Sequence, residues 1–130
     1  MTEGLRNPAS PAPRRVLLAD NSAELAELLG EILRTEPALD YVGYVTTGAA
    51  AFEKVQTVGI DVLLLDLGLE DGDGFEVLAR LTRAESPVKV VVHSGHASAE
   101  LAAHARQMGA AAYVVKDGDI AALLAAIHAA

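Results

Sequence analysis

Five short apolar runs, each followed by a stretch with helical spacing, alternate along this chain, and no other feature restricts its fold as tightly. The runs are Val16 to Ala19, Tyr41 to Val45, Val62 to Leu65, Val88 to His93 and Ala112 to Val115. Three of them lack polar alternation, as expected of parallel strands covered on both faces. Between the runs, Leu25, Leu28, Leu29, Ile32 and Leu33 fall at i, i+3, i+4, i+7 and i+8, and Ile120, Leu123, Leu124 and Ile127 repeat that stripe near the end. Weaker, alanine-rich helices are predicted over 47–57, 74–84 and 98–108. Asn21 or Ser22 can cap the first helix, with Glu24 and Glu27 following near the positive end of its dipole.

Strand and helix alternating five times, with short right-handed connections, predict an α/β fold. The expected form is a flavodoxin-like, doubly wound (βα)5 sandwich around a parallel five-stranded sheet in the order 2-1-3-4-5. At 130 residues the chain fits one domain. Pro8, Pro11 and Pro13 stand among small and polar residues with no apolar period, so 1–14 is read as a flexible leader and 15–130 as the folded domain. No apolar run approaches the roughly 18 residues of a spanning helix, and no export signal opens the chain, so a soluble, cytoplasmic protein without membrane contact is expected. Cysteine is absent, which excludes disulfides, thiolate metal sites and cysteine nucleophiles. The formal charge of -8 argues against direct nucleic-acid binding, which relies on clustered Lys and Arg.

In a doubly wound sheet the binding crevice opens at the carboxyl ends of the strands, where the winding reverses between strands one and three. Asp20 with Asn21 closes the first of those strands and Asp66 the third. Residues far apart in sequence are thus expected to meet in one oxygen-rich pocket suited to magnesium, a hard cation that prefers carboxylate, carbonyl and water oxygens.

Four motifs in order then carry a resemblance. They are Val16-Leu-Leu-Ala-Asp20-Asn21; Asp61-Val-Leu-Leu-Leu-Asp66-Leu-Gly-Leu with Asp73-Gly74; Ser94-Gly95; and Tyr113-Val-Val-Lys116. Together they resemble the receiver domains of two-component response regulators, from Arg15 to the end. The Lys116-Asp117 pair looks more like receivers attached to helix-turn-helix DNA-binding output domains, which would imply transcription regulation.

The resemblance implies roles. Asp66 would accept a phosphoryl group from a sensor histidine kinase or phosphotransfer protein, and the domain would promote its own metal-dependent phosphorylation and dephosphorylation. Magnesium, or manganese in its place, would be held by Asp20, Asp66 and the backbone carbonyl of Gly68, with Asn21 a weak fourth donor. Lys116 would reach a phosphate oxygen, and Ser94 would hydrogen-bond another and so sense the modification. Tyr113 would turn inward as Ser94 moves, shifting helix four, strand five and helix five. A homodimer through the C-terminal helices is a family-level expectation.

Two departures qualify this. Asn21 stands where most relatives have a second acid, so weaker magnesium binding is expected, and the alternative reading is an atypical pseudo-receiver acting as a phosphorylation-independent interaction module. Glu70 replaces the usual proline after the phosphorylation site, which suggests a more mobile loop. Other classes fit less well. Strand one is followed by no Gly-x-Gly-x-x-Gly to admit a pyrophosphate. A calcium loop over Asp71, Asp73 and Gly74 would need its closing glutamate where Arg80 stands. His93 and His96 flank Ser94 without a nucleophile elbow and are read as structural.

Overall fold

The computed structural model describes residues 12–130. Its elements in order are β1 (Arg14–Ala19), α1 (Ala23–Arg34), β2 (Leu39–Val45), α2 (Gly48–Thr57), β3 (Val62–Leu65), β4 (Gly68–Leu69), β5 (Gly72–Asp73), α3 (Gly74–Arg83), β6 (Lys89–Ser94), α4 (Ala99–Gln107), β7 (Ala112–Val115) and α5 (Ile120–Ala129). The long strands form one parallel sheet in the order β2-β1-β3-β6-β7, which is the expected 2-1-3-4-5 once the small β4-β5 hairpin is set aside. Most of the leader read from sequence lies outside the described residues, but Arg14 opens β1, pairing with Leu39.

Alternation along each strand sorts the core into two layers. Val16, Leu18, Val62, Leu64 and Val91 face α1 and α5, while Leu17, Leu63, Leu65, Val90 and Val92 face α2, α3 and α4. A strand buried on both faces must be apolar throughout, which is why these runs show no polar alternation. Every helix starts on a side-chain cap: Ser22, Thr47, Asp73, Ser98 and Asp119 each accept an otherwise orphaned backbone N–H. Ser22, not Asn21, takes that role in α1. In β2 the register slips between the partners of Val16 and Leu17, and Gly43 absorbs the bulge at φ 119°, a left-handed value that glycine adopts without strain.

Two expectations fail locally. Leu28, on the apolar stripe, is 55% exposed. The buried face of α1 is instead Ala26, Leu29, Gly30 and Leu33, because Gly30 lies so close to the Tyr41 ring that a Cβ there would stand 2.6 Å from it. Small residues let α1 approach β2 and turn Leu28 outward. The loop at Glu70 is also tied down rather than loose: its N–H donates to the Thr46 carbonyl at 3.1 Å, and its carboxylate accepts the Thr46 hydroxyl at 2.6 Å. Asp71 beside it accepts the Gly48 and Ala49 amides at 2.6 and 3.0 Å, and those bonds hold its carboxyl below the usual range. A charged cap on α2 thus does the fixing that a proline would do by restricting φ.

Candidate functional site

The sheet's hydrogen bonds run one residue past three of its strands. Asp20 N–H donates to Val45 O at 3.0 Å, Asp66 N–H to Ala19 O at 2.8 Å and Lys116 N–H to Ser94 O at 2.7 Å. The backbones of all three residues are therefore fixed by the ladder itself, although their side chains lie beyond the packed core.

Those side chains converge. Lys116 Nζ is 2.8 Å from Asp20 Oδ2 and 3.2 Å from Asp66 Oδ2. Asp20 is 3% exposed and Asp66 9%, so one ammonium balances two carboxylates that are almost out of water. Their remaining oxygens have single partners: Asp20 Oδ1 accepts Ser22 N–H at 2.9 Å, and Asp66 Oδ1 accepts Gly68 N–H at 3.2 Å. The cluster keeps a net negative charge in a low-dielectric setting, which is costly unless a further cation shares it.

A cleft opens beside it, lined by Asn21, Asp66, Gly68, Phe75 and Ser94. Ser94 is 1% exposed, and its hydroxyl oxygen accepts His96 N–H at 3.2 Å. Tyr113 is half-buried against the α2–α4 layer and donates its hydroxyl to the His96 carbonyl at 2.6 Å, so the N–H and the C=O of His96, which belong to successive peptide groups, are both held. Gly74 sets the floor: a Cβ there would collide with the Asp66 carbonyl oxygen, and its N–H donates to Leu67 O at 2.8 Å. The Asp73-Gly74 pair thus serves both to start α3 and to admit it against the β3 end.

The arrangement brings together Asp20, Asp66 and Lys116, and sets Ser94, Gly68 and Asn21 around the same cleft. Its donors suit magnesium: they are all oxygens, carry an unbalanced negative charge, and open onto a cleft with room for the waters this ion keeps. Among the described residues no group of three His, Cys, Asp or Glu side chains could hold a metal, so protein carboxylates would supply only two ligands.

Sequence reasoning passed over His93 as structural. It is buried beside the cluster, its Nδ1 has no partner among the described residues, and burial, reinforced by the Lys116 charge and opposed by Asp20 and Asp66, pushes its pKa down to about 4. Its position immediately before Ser94 was the available signal. The Asp71 clamp was also missed, since nothing in a run of Gly and Asp says which backbone amides a carboxylate will find.

Comparison with known proteins gives consistent matches. The family model for the response regulator receiver domain matches residues 16–128. Protein-glutamate methylesterase/protein-glutamine glutaminase 5 of Myxococcus xanthus is 41% identical over 106 residues, 81% of this chain and 30% of that protein. The chain thus spans about 30% of the length of the curated relatives it matches. Among solved structures, a signal receiver domain attributed to a Luxo repressor protein of Vibrio parahaemolyticus superposes with a TM-score of 0.84 at 29% identity, covering 90% of this chain and 88% of that one. The CheX-CheY-BeF3-Mg complex of Borrelia burgdorferi matches with a TM-score of 0.85 at 23% identity, over 95% and 92% of the two chains, a likeness of fold alone. Methylesterases and a repressor both stand among these matches, so the Lys116-Asp117 pair does not single out a DNA-binding output.

Proposed function

The chain belongs to the response regulator receiver domain family, and from that premise we propose that it accepts a phosphoryl group on Asp66 and reports the change through its α4-β7-α5 face. The observation that carries this reading is the ammonium of Lys116 set between two buried carboxylates at the switch point of the sheet.

An Asp66 carboxylate oxygen attacks the phosphorus of a phosphohistidine on a sensor histidine kinase or phosphotransfer protein. The P–N bond breaks as the O–P bond forms, the imidazole keeps the electron pair, and an acyl phosphate results. Asp20, Asp66, the Gly68 carbonyl and, weakly, Asn21 would hold magnesium or manganese, which when bound offsets the repulsion between carboxylate and phosphoryl oxygens. Lys116 exchanges an Asp66 oxygen for a phosphoryl oxygen, a short move for a flexible point charge. Ser94 turns its hydroxyl from the His96 amide toward the phosphoryl group as a donor. That releases the N–H of His96, the residue whose carbonyl Tyr113 holds, and Tyr113 follows inward, a two-state repacking of the face. A homodimer would form through the same face. Water attack on the acyl phosphate resets the domain.

No helix of the described residues is long and apolar enough to cross a membrane, in keeping with a cytoplasmic signalling role. Beyond Asn21, no observation among the described residues favours the phosphorylation-independent interaction module. The test is incubation with magnesium and acetyl phosphate, followed by intact-mass measurement. Wild type gains the mass of one phosphoryl group, and Asp66→Asn gains none. An unmodified wild type, or equal labelling of the variant, would overturn the proposal.

A further inference from the structure

His93 precedes Ser94 in β6 but faces the opposite side of the sheet, as alternation along a strand requires. On that side its imidazole lines a cavity of about 180 Å³ with Leu25 and Leu29 of α1, Ile120 and Leu123 of α5, and Lys116. Only 7% of His93 is exposed, and its Nδ1 lacks a hydrogen-bond partner among the described residues. Buried polar nitrogens are almost always paired, and an orphan costs free energy. The fold has left a largely apolar space beside a buried imidazole whose orphan nitrogen is itself shut off from solvent, so a partner in that space meets it only after a turn of the ring.

The lining defines the occupant. An apolar cavity of roughly 150 Å³ is enough to hold benzene, so one substituted ring fits here. The one carboxylate of the lining, Asp119, is exposed and its Oδ1 already accepts the Ala122 N–H, so a buried cation would find no counter-charge among the leucines and isoleucine. An anion would compete with Asp20 and Asp66 for the Lys116 ammonium, which those carboxylates already over-neutralise.

We propose that the cavity between α1 and α5 binds a neutral, single-ring aromatic molecule bearing one hydroxyl or amino group, its ring against Leu25, Leu29, Ile120 and Leu123 and its polar group on the His93 imidazole. The inference does not depend on phosphorylation of Asp66. Since Lys116 belongs both to the cavity wall and to the carboxylate cluster, a molecule held there bears on the ammonium that joins Asp20 to Asp66.

The test is titration of the full, isotope-labelled chain with phenol and with toluene, followed by NMR of the methyl groups. Phenol should saturate and shift the methyls of Leu25, Leu29, Ile120 and Leu123, binding about three- to tenfold more tightly than toluene, the ratio one hydrogen bond supplies. His93→Leu should abolish that preference and leave toluene binding. Ile120→Trp and Leu25→Trp, both at half-buried positions, should fill the space and remove binding of both probes while the spectrum stays dispersed. Shifts that map elsewhere, that never saturate, or that are equal for the two probes would overturn the proposal. So would wild-type affinity in both tryptophan variants, or shifts of the same methyls with protein concentration alone, which would mean that a second copy occupies the cavity.

Discussion

Lys116 Nζ lies 2.8 Å from Asp20 and 3.2 Å from Asp66, the end of β7 thus joining the ends of β1 and β3 through one ammonium. Removing it leaves two nearly buried carboxylates with no counter-charge. Lys116→Met is expected to lower unfolding free energy by about 3 kcal/mol, the lower part of the range for breaking a buried pair, because Lys116 itself is partly exposed. Adding Asp66→Asn should recover more than half of that loss. Urea denaturation of the three proteins checks it, and an additive double variant would sink the idea that one repulsion underlies both effects.

Asn21 lines the cleft with a neutral oxygen. Asn21→Asp adds a third carboxylate, and magnesium affinity should rise about three- to tenfold, since ligand charge count tunes such sites. Titration followed by thermal shift or NMR measures this. Unchanged affinity would mean that Asn21 does not face the bound ion.

Gly74 admits the start of α3 against the backbone of Asp66. Gly74→Ala forces two backbone segments apart and should cost about 2–3 kcal/mol of stability. It should also slow labelling of Asp66 by acetyl phosphate in protein that is still folded. A variant within 0.5 kcal/mol of wild type, roughly the spread of surface substitutions, would show that the approach is not tight.

His93 gives a pH dependence whose sign follows from its depressed pKa. The unfolded chain binds a proton near 6.5, whereas the native ring, pushed down to about 4, does not. Stability is therefore full above pH 6.5, falls between 6.5 and 4, and levels off below, a loss of about 3 kcal/mol for a ring so nearly buried. Asp71 acts in a lower window: its depressed carboxyl contributes stability that is lost as pH falls below 3.8. Urea midpoints across pH 7.5 to 4 should slope in wild type and flatten in His93→Leu. An equal slope in both would assign the effect to carboxylates.

The sequence by itself determined the sheet and the ends of its strands. Buried strands such as Val62 to Leu65 must be apolar along their whole length, helices must carry stripes, and the order of the runs leaves few topologies. The placement of Asp20, Asp66 and Lys116 followed, because a ladder fixes the residue just past a strand as firmly as the strand. Tertiary structure alone decided what depends on close approach between elements: Leu28 turned outward because Gly30 meets Tyr41, the Glu70 loop held because Asp71 finds the α2 amides, and His93 Nδ1 left without a partner among the described residues. Periodicity records which face of an element is apolar. It does not record the sub-ångström fit between faces, and that fit chooses which polar group finds a partner and which does not.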